Sequence, residues 1–147
     1  MIQKEISIEI ARPIHEVFTF VDDASKAPEW LGPCVSLKQI SPGPRQVGTQ
    51  LHYTYRQAGR TGEMEGEVTA HEPDRHLAMK FRDKMFEVSL DFSFSAAPSG
   101  TLLKHIVEIQ PQGFAAKLMS GMIASATEKQ LKQDTEKLKE LLETPAP

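Results

Sequence analysis

The chain has 147 residues and a mass of 16.4 kDa. That length buries roughly 68–70% of the unfolded surface in one core without a disulfide or metal staple. Lys+Arg 17 against Asp+Glu 20 leaves a net charge of −3, which argues against a nucleic-acid surface and its basic excess. A single cysteine excludes an internal disulfide, and no CxxC or Cys/His cluster has the spacing of a zinc site, so no metal is expected.

Met1 to Ile10 has neither the basic start nor the continuous apolar run of a signal peptide. No stretch of about 18 apolar residues occurs anywhere. The expectation is a soluble, cytoplasmic protein of one domain, residues 1–147. Ile6, Ile8 and Ile10 alternate with Ser7 and Glu9, the period of a half-buried strand. Pro13 opens a short amphipathic helix carrying Ile14, Val17, Phe18 and Val21, and Asp22-Asp23-Ala24-Ser25 stops it. A second short helix covers Pro28 to Leu31 and breaks at Gly32-Pro33.

From Val35 to Ile109 the pattern is all strand, read as Val35–Ile40, Thr49–Gln57, Glu63–His71, Leu77–Phe81, Phe86–Phe94 and a last strand from Thr101 to Gln110. Phe86, Val88, Leu90, Phe92 and Phe94 alternate with Glu87, Ser89, Asp91 and Ser93, the cleanest two-residue period in the chain. Short turns between successive strands make them antiparallel neighbours. After Pro111-Gln112-Gly113 the period changes to three and four, and Phe114 to Leu142 is expected as one helix about 40 Å long. Thr144–Pro147 is a frayed tail.

This order, carried by Ile8–Phe18 (IEIARPIHEVF), Asp22–Trp30 (DDASKAPEW), Val47-Gly48-Thr49, Val68–Leu77 (VTAHEPDRHL) and Gly100-Thr101, resembles the START-like polyketide cyclase/dehydrase superfamily, also called SRPBCC. The resemblance spans about Ile2 to Leu142. It implies an α+β helix-grip fold: a curved antiparallel seven-stranded sheet around a long C-terminal helix, with two short helices between the first two strands. It also implies a cavity between sheet and helix that takes lipids, hormones, polyketides or other apolar molecules, some of which family members cyclise or dehydrate. It brings no invariant catalytic residue.

The strand alternations assign Leu51, Tyr53, Tyr55, Met64, Gly66, Val68 and Ala70 to the inner face, followed by Leu77, Met79 and Phe81. The last two strands add Phe86, Val88, Leu90, Phe92 and Phe94, then Leu103, Val107 and Ile109. These residues make either a solid core or the lining of a hollow one. Gly66 and Ala70, small on a bulky face, favour the hollow reading, and an apolar pocket with a few polar groups is the usual small-molecule site.

The expected ligand contacts are Tyr53, Tyr55, Gly66, Val68, Met79 and Phe81 on the middle strands. Val88, Leu90, Phe92 and His105 are expected from the last two strands, and Leu118 and Met122 from the helix. Trp30 stands at the cavity mouth by resemblance, or else caps the core. The two tyrosine hydroxyls need partners, which a ligand, a water or a neighbouring side chain supplies. His105 shares its side of the last strand with Leu103, Val107 and Ile109. It is the candidate catalytic residue, moving protons near neutral pH, with a core histidine bonded to a carbonyl or tyrosine as the alternative.

Glu63, Glu65 and Glu67 alternate onto the solvent side, and Asp22 and Asp23 read as helix-ending residues. Cys34 reads as a small buried apolar residue. His52, His71 and His76 fall on outward or turn positions, and His15 sits on a helix beside Glu16. Gly121 inside the long helix calls for a close approach of sheet or ligand to compensate its cost of about 1 kcal/mol.

The leading functional expectation is binding of a small hydrophobic or aromatic molecule between sheet and helix, with no cofactor. A polyketide cyclase or aromatase/dehydrase acting in the same cavity is the second, and a protein-interaction module of the same fold the third. A homodimer is compatible with all three.

Overall fold

The computed structural model describes residues 1–57 and 59–144. All but the first residue of the expected tail, Thr144–Pro147, therefore lies outside the described residues. Strand β1 (Ile2–Ile10) leads into helix α1 (Ile14–Asp22), a 3-10 turn at Ala24–Lys26 and helix α2 (Ala27–Trp30). Then come β2 (Cys34–Gln39), β3 (Gln50–Gln57), β4 (Arg60–Glu72), β5 (His76–Arg82), β6 (Phe86–Ala97) and β7 (Gly100–Pro111). Helices α3 (Phe114–Leu118) and α4 (Ser120–Glu143) close the chain. The strands form one antiparallel sheet in the order β1-β7-β6-β5-β4-β3-β2. This is the helix-grip arrangement.

Local chemistry sets several boundaries. Pro13, with φ −59°, stands at the N-cap of α1. The Asp23 carboxylate accepts from the Ser25 backbone N–H at 3.0 Å and from its hydroxyl at 2.6 Å, nucleating the turn after α1. In the β5–β6 hairpin the Asp83 carboxylate accepts from the backbone N–H groups of Met85 and Phe86, each at 2.8 Å.

The grip is visible in what touches α4. Along β1 Lys4 pairs with Glu128 at 3.3 Å, and just past its end the Ala11 N–H donates to Glu143 at 2.8 Å and Arg12 donates to the Leu142 carbonyl at 2.8 Å. These contacts advance together, so α4 runs parallel to β1. From the other sheet edge, the Gly32 N–H just ahead of β2 donates to Asp134 Oδ1 at 3.0 Å. Seven flat strands would separate the two edges by about 29 Å, whereas a helix is only about 10 Å wide. Both edges reach the same helix because the sheet curls around it.

Four local expectations are corrected. The carboxy-terminal segment is not one helix: it breaks at Met119, where ψ is near 6°. There the Ser120 hydroxyl donates to the Lys117 carbonyl at 2.7 Å, and Gly121 follows, a Ser-Gly pair of the kind that kinks helices. Gly121 has no compensating neighbour, since a Cβ there would meet nothing within 4 Å. A bulge between Val68 and Ala70 shifts the β4 register, placing Ala70 opposite Ala78 on the outer side and His71 opposite Leu77 on the inner side. His71 then meets the Phe18 ring edge-on at 5.6 Å and bonds Asp22 at 3.1 Å, so it is not outward. Finally, Gly66 does lie on the inner face but leaves no space: a Cβ there would come within 2.3 Å of Phe81 Cδ1. The glycine admits the Phe81 ring.

One end of the curled sheet is a solid core. Val17, Phe18 and Val21 of α1 pack down on it, with Phe18 edge-on to Phe94 at 5.2 Å. From α4, Leu131, Thr135 and Leu138 are buried at 5% exposure or less. Burying a leucine of this kind contributes about 1.5–3 kcal/mol.

Candidate ligand-binding site

Cross-strand pairing sorts the inner face into rows. Leu77, Phe92, His105 and Ile6 form one, Met79, Leu90, Val107 and Lys4 the next, and Phe81, Val88, Ile109 and Ile2 the third. The first row is shut along its middle, since Leu77, Phe92 and His105 are all at 2% exposure or less. Beyond it the cover thins. Phe86, Val88, Leu90 and Ile109 are half-buried, as are Tyr53 and Tyr55 on β3. Val68, Met79 and Phe81 beside them are buried.

The helix accounts for the difference. The second half of α4 presses on the sheet, but its first turns do not. Leu118 and Met122, expected as lining, are 71% and 69% exposed. Between sheet and helix there is thus an open trough rather than an enclosed cavity. Its floor is Phe86, Val88 and Leu90, and its closed end is the Phe92–His105 row. Two surface concavities lie elsewhere, one on the outer face of the sheet by Lys80, Glu87 and Ser89, the other along α1 by His15, Thr19 and Phe20.

At the closed end three rings meet. His105 stacks on Phe92 with centroids 4.1 Å apart, and Trp30 stands edge-on to both, at 5.8 Å from Phe92 and 6.3 Å from His105. Trp30 is 3% exposed, so it belongs to the core cluster at the blind end of the trough. Its indole Nε1 and both ring nitrogens of His105 are buried without a hydrogen-bond partner among the described residues. Burial alone pushes the His105 pKa down to about 3. The ring is neutral at physiological pH and poorly matched to general acid–base work there.

The tyrosines differ. Tyr55 donates to Asp83 Oδ2 at 3.3 Å, so protein satisfies it. Tyr53 packs against Tyr55 at 5.9 Å and Phe81 at 5.3 Å. Its phenol pKa is raised, first by burial and then by the nearby Cys34, Asp134 and Tyr55.

Asp134 was not anticipated from the sequence. It is 7% exposed, and its Oδ1 accepts from the Gly32 N–H at 3.0 Å and from Gln130 Nε2 at 2.7 Å. Burial raises its pKa, and the two hydrogen bonds oppose that rise. Cys34, buried as expected, is pushed up to about 11 by burial and then by the Asp134 charge. A signal existed: Asp134 falls three residues after Leu131 and four before Leu138, inside the apolar stripe of the helix.

The acidic run behaves as read, with Glu63, Glu65 and Glu67 exposed. His15, His52 and His76 pair with Asp74, Glu63 and Asp91 at 3.0, 3.3 and 2.8 Å. Among the described residues no three His, Cys, Asp or Glu side chains gather as a metal site, and no helix is long and apolar enough to cross a membrane.

Residues 1–143 match the family described as polyketide cyclase/dehydrase and lipid transport. The chain belongs to that family. Solved structures similar to this polyketide cyclase/dehydrase-family chain include protein MLL2253 from Mesorhizobium loti, 18% identical over 99% of both chains with a TM-score of 0.74. A START superfamily protein from Mycobacterium smegmatis is 16% identical over 96% of this chain and 97% of its own, with a TM-score of 0.77. The di-domain aromatase/cyclase BexL of the BE-7585A biosynthetic pathway is 16% identical over 98% of this chain and 50% of its own, also with a TM-score of 0.77. At these identities the likeness is one of fold. Among curated proteins, none matches the chain by sequence.

Proposed function

We propose that this protein binds a small hydrophobic or aromatic molecule in the trough between sheet and α4, as a carrier or sensor in the cytoplasm. The observation that carries the reading is the partial exposure of Phe86, Val88 and Leu90 on the inner face of the sheet, under helical turns that do not cover them. Inner-face side chains of this kind normally reach full burial, and an apolar guest would complete it. Membership of a family described in part by lipid transport supports the same reading. Trp30, Phe92 and His105 bound the inner end of the site, and Val68, Met79 and Phe81 back its floor.

The test is thermal unfolding against a panel of aromatic compounds and lipids. A ligand at 100 times its Kd adds about 2.7 kcal/mol of stability. Leu90→Trp fills the floor and is expected to abolish that shift while circular dichroism stays native. If no compound in the panel shifts unfolding, the reading is wrong.

A cyclase reading, supported by the fold likeness to BexL, would draw on Tyr53 and Asp134 rather than on His105. Tyr53 is half-buried at the trough and feels the Asp134 charge.

A further inference from the structure

The closed end of the trough is not purely apolar. Trp30 Nε1 and the two nitrogens of His105 are three polar atoms sealed from solvent without partners among the described residues, in side chains that are 3% and 2% exposed. Native interiors rarely leave such groups unpaired. We propose that Trp30 and His105 form the polar terminus of the ligand site, and that the molecule bound there is neutral and carries a hydroxyl group on an aromatic or alicyclic frame. This rests on the trough being the ligand site, and adds to it the chemical class of the ligand.

Position supports the assignment. On β6, Leu90 of the floor precedes Phe92 by two residues, about 7 Å along the strand, and Phe92 carries the stacked His105 ring. A rigid molecule lying on Val88 and Leu90 therefore ends at the Trp30–His105 pair. The α2–β2 junction that follows Trp30 is tied to α4 by the Gly32–Asp134 hydrogen bond.

The donor and acceptor inventory selects the functional group. Indole Nε1–H only donates, whereas a neutral imidazole has one donating and one accepting nitrogen. A hydroxyl oxygen accepts from the indole and its proton goes to the accepting imidazole nitrogen. An ether or ketone only accepts, so it can serve the N–H groups but never the accepting nitrogen, whereas a hydroxyl can serve whichever ring nitrogen it meets. A carboxylate or phosphate is disfavoured for a separate reason. Among the described residues no lysine or arginine is buried, and the buried charged side chain is the Asp134 carboxyl, so an anionic head would enter uncompensated. Free fatty acids and phospholipid headgroups are thereby disfavoured at the closed end.

The experiment uses one frame with four substituents: naphthalene, 2-methoxynaphthalene, 2-naphthol and 2-naphthoate. Binding is measured by calorimetry on the whole protein. Trp30 is the only tryptophan of the chain, so its single indole N–H resonance reports the site directly. 2-Naphthol is expected to bind about tenfold tighter than naphthalene, with 2-methoxynaphthalene between them and 2-naphthoate weakest. Saturation with 2-naphthol is expected to move the indole proton downfield. His105→Leu is expected to bring the naphthol-to-naphthalene ratio close to one. Equal binding of all four compounds, a preference for 2-naphthoate, or an unmoved indole resonance at saturation overturns the hydroxyl assignment while leaving the trough in place. Those readings need only the wild-type protein, so a variant that fails to fold does not decide the matter. Failure of all four to bind, together with a negative panel, removes the trough reading itself.

Discussion

Replacing His105 with leucine separates the cost of the buried polar pair from its use. Both ring nitrogens are buried without partners among the described residues, and each such group costs about 1–3 kcal/mol. Leucine of similar volume removes both penalties and forfeits the stack on Phe92, a contact of about 0.5–1.5 kcal/mol. The expected outcome at pH 7 is a variant more stable than wild type by about 2 kcal/mol. The pH dependence is the sharper test. The folded-state His105 value is depressed to about 3 from the ordinary 6.5. As pH falls below 6.5 the unfolded chain takes up a proton that the folded chain refuses until near 3. Wild-type stability therefore drops across that window by up to about 1.4 kcal/mol per pH unit. His105→Leu lacks this contribution, so the gap between the proteins widens by about 2 kcal/mol between pH 7 and pH 5. Urea unfolding at the two pH values, followed by the fluorescence of Trp30, measures both differences. A variant less stable than wild type at pH 7, with a gap that does not change at pH 5, would show that the ring nitrogens have partners and refute the reasoning.

Two further substitutions test other parts of the structure. Gly66→Ala is expected to destabilise by about 1–3 kcal/mol, because the new methyl group meets Phe81 Cδ1 at 2.3 Å and the Lys80 carbonyl oxygen at 2.7 Å; an unchanged urea midpoint would mean that Gly66 does face open space. Asp134→Asn is expected to raise stability at pH 7, since burial lifts the folded-state value of this carboxyl above its unfolded one and so favours the neutral form. The advantage of the variant should shrink as pH falls through that raised value toward 3.8, which unfolding curves at pH 7, 5 and 4 would show.

The parts of the fold legible in the sequence are those encoded by near neighbours. The alternation from Phe86 to Phe94 fixes which side of β6 faces inward, and the Asp83-Lys84 and Pro98–Gly100 turns fix that its neighbours are antiparallel. Long-range facts were not legible. The bulge after Val68 depends on how β4 meets β5, and one extra residue was enough to exchange the sides of Ala70 and His71. Gly66 reads as spare volume until Phe81, fifteen residues later, is seen filling it. Trp30 and His105 lie 75 residues apart, and only the curl of the sheet brings them to 6.3 Å. Asp134 is the opposite case, since its place on the Leu131–Leu138 stripe is set by helical spacing alone.

The break at Met119 and the anchoring of α4 together explain why the trough opens where it does. Past the Lys4–Glu128 pair the ties fall in the second half of the helix: Lys139 donates to the Glu9 carbonyl, Leu142 and Glu143 accept from Arg12 and Ala11 just after β1, and the tie from the β2 edge falls at Asp134. The buried helix residues, Leu131, Asp134, Thr135 and Leu138, occupy the same stretch. Before it, Gly121 faces open space and Leu118, Met119 and Met122 are exposed, so those turns are held mainly by continuity with the clamped half. The packed Phe92–His105 row therefore lies under the anchored half of the helix, and the less covered Val88 and Leu90 lie away from it, so the place of the anchors along α4 decides which part of the inner face an apolar guest can complete.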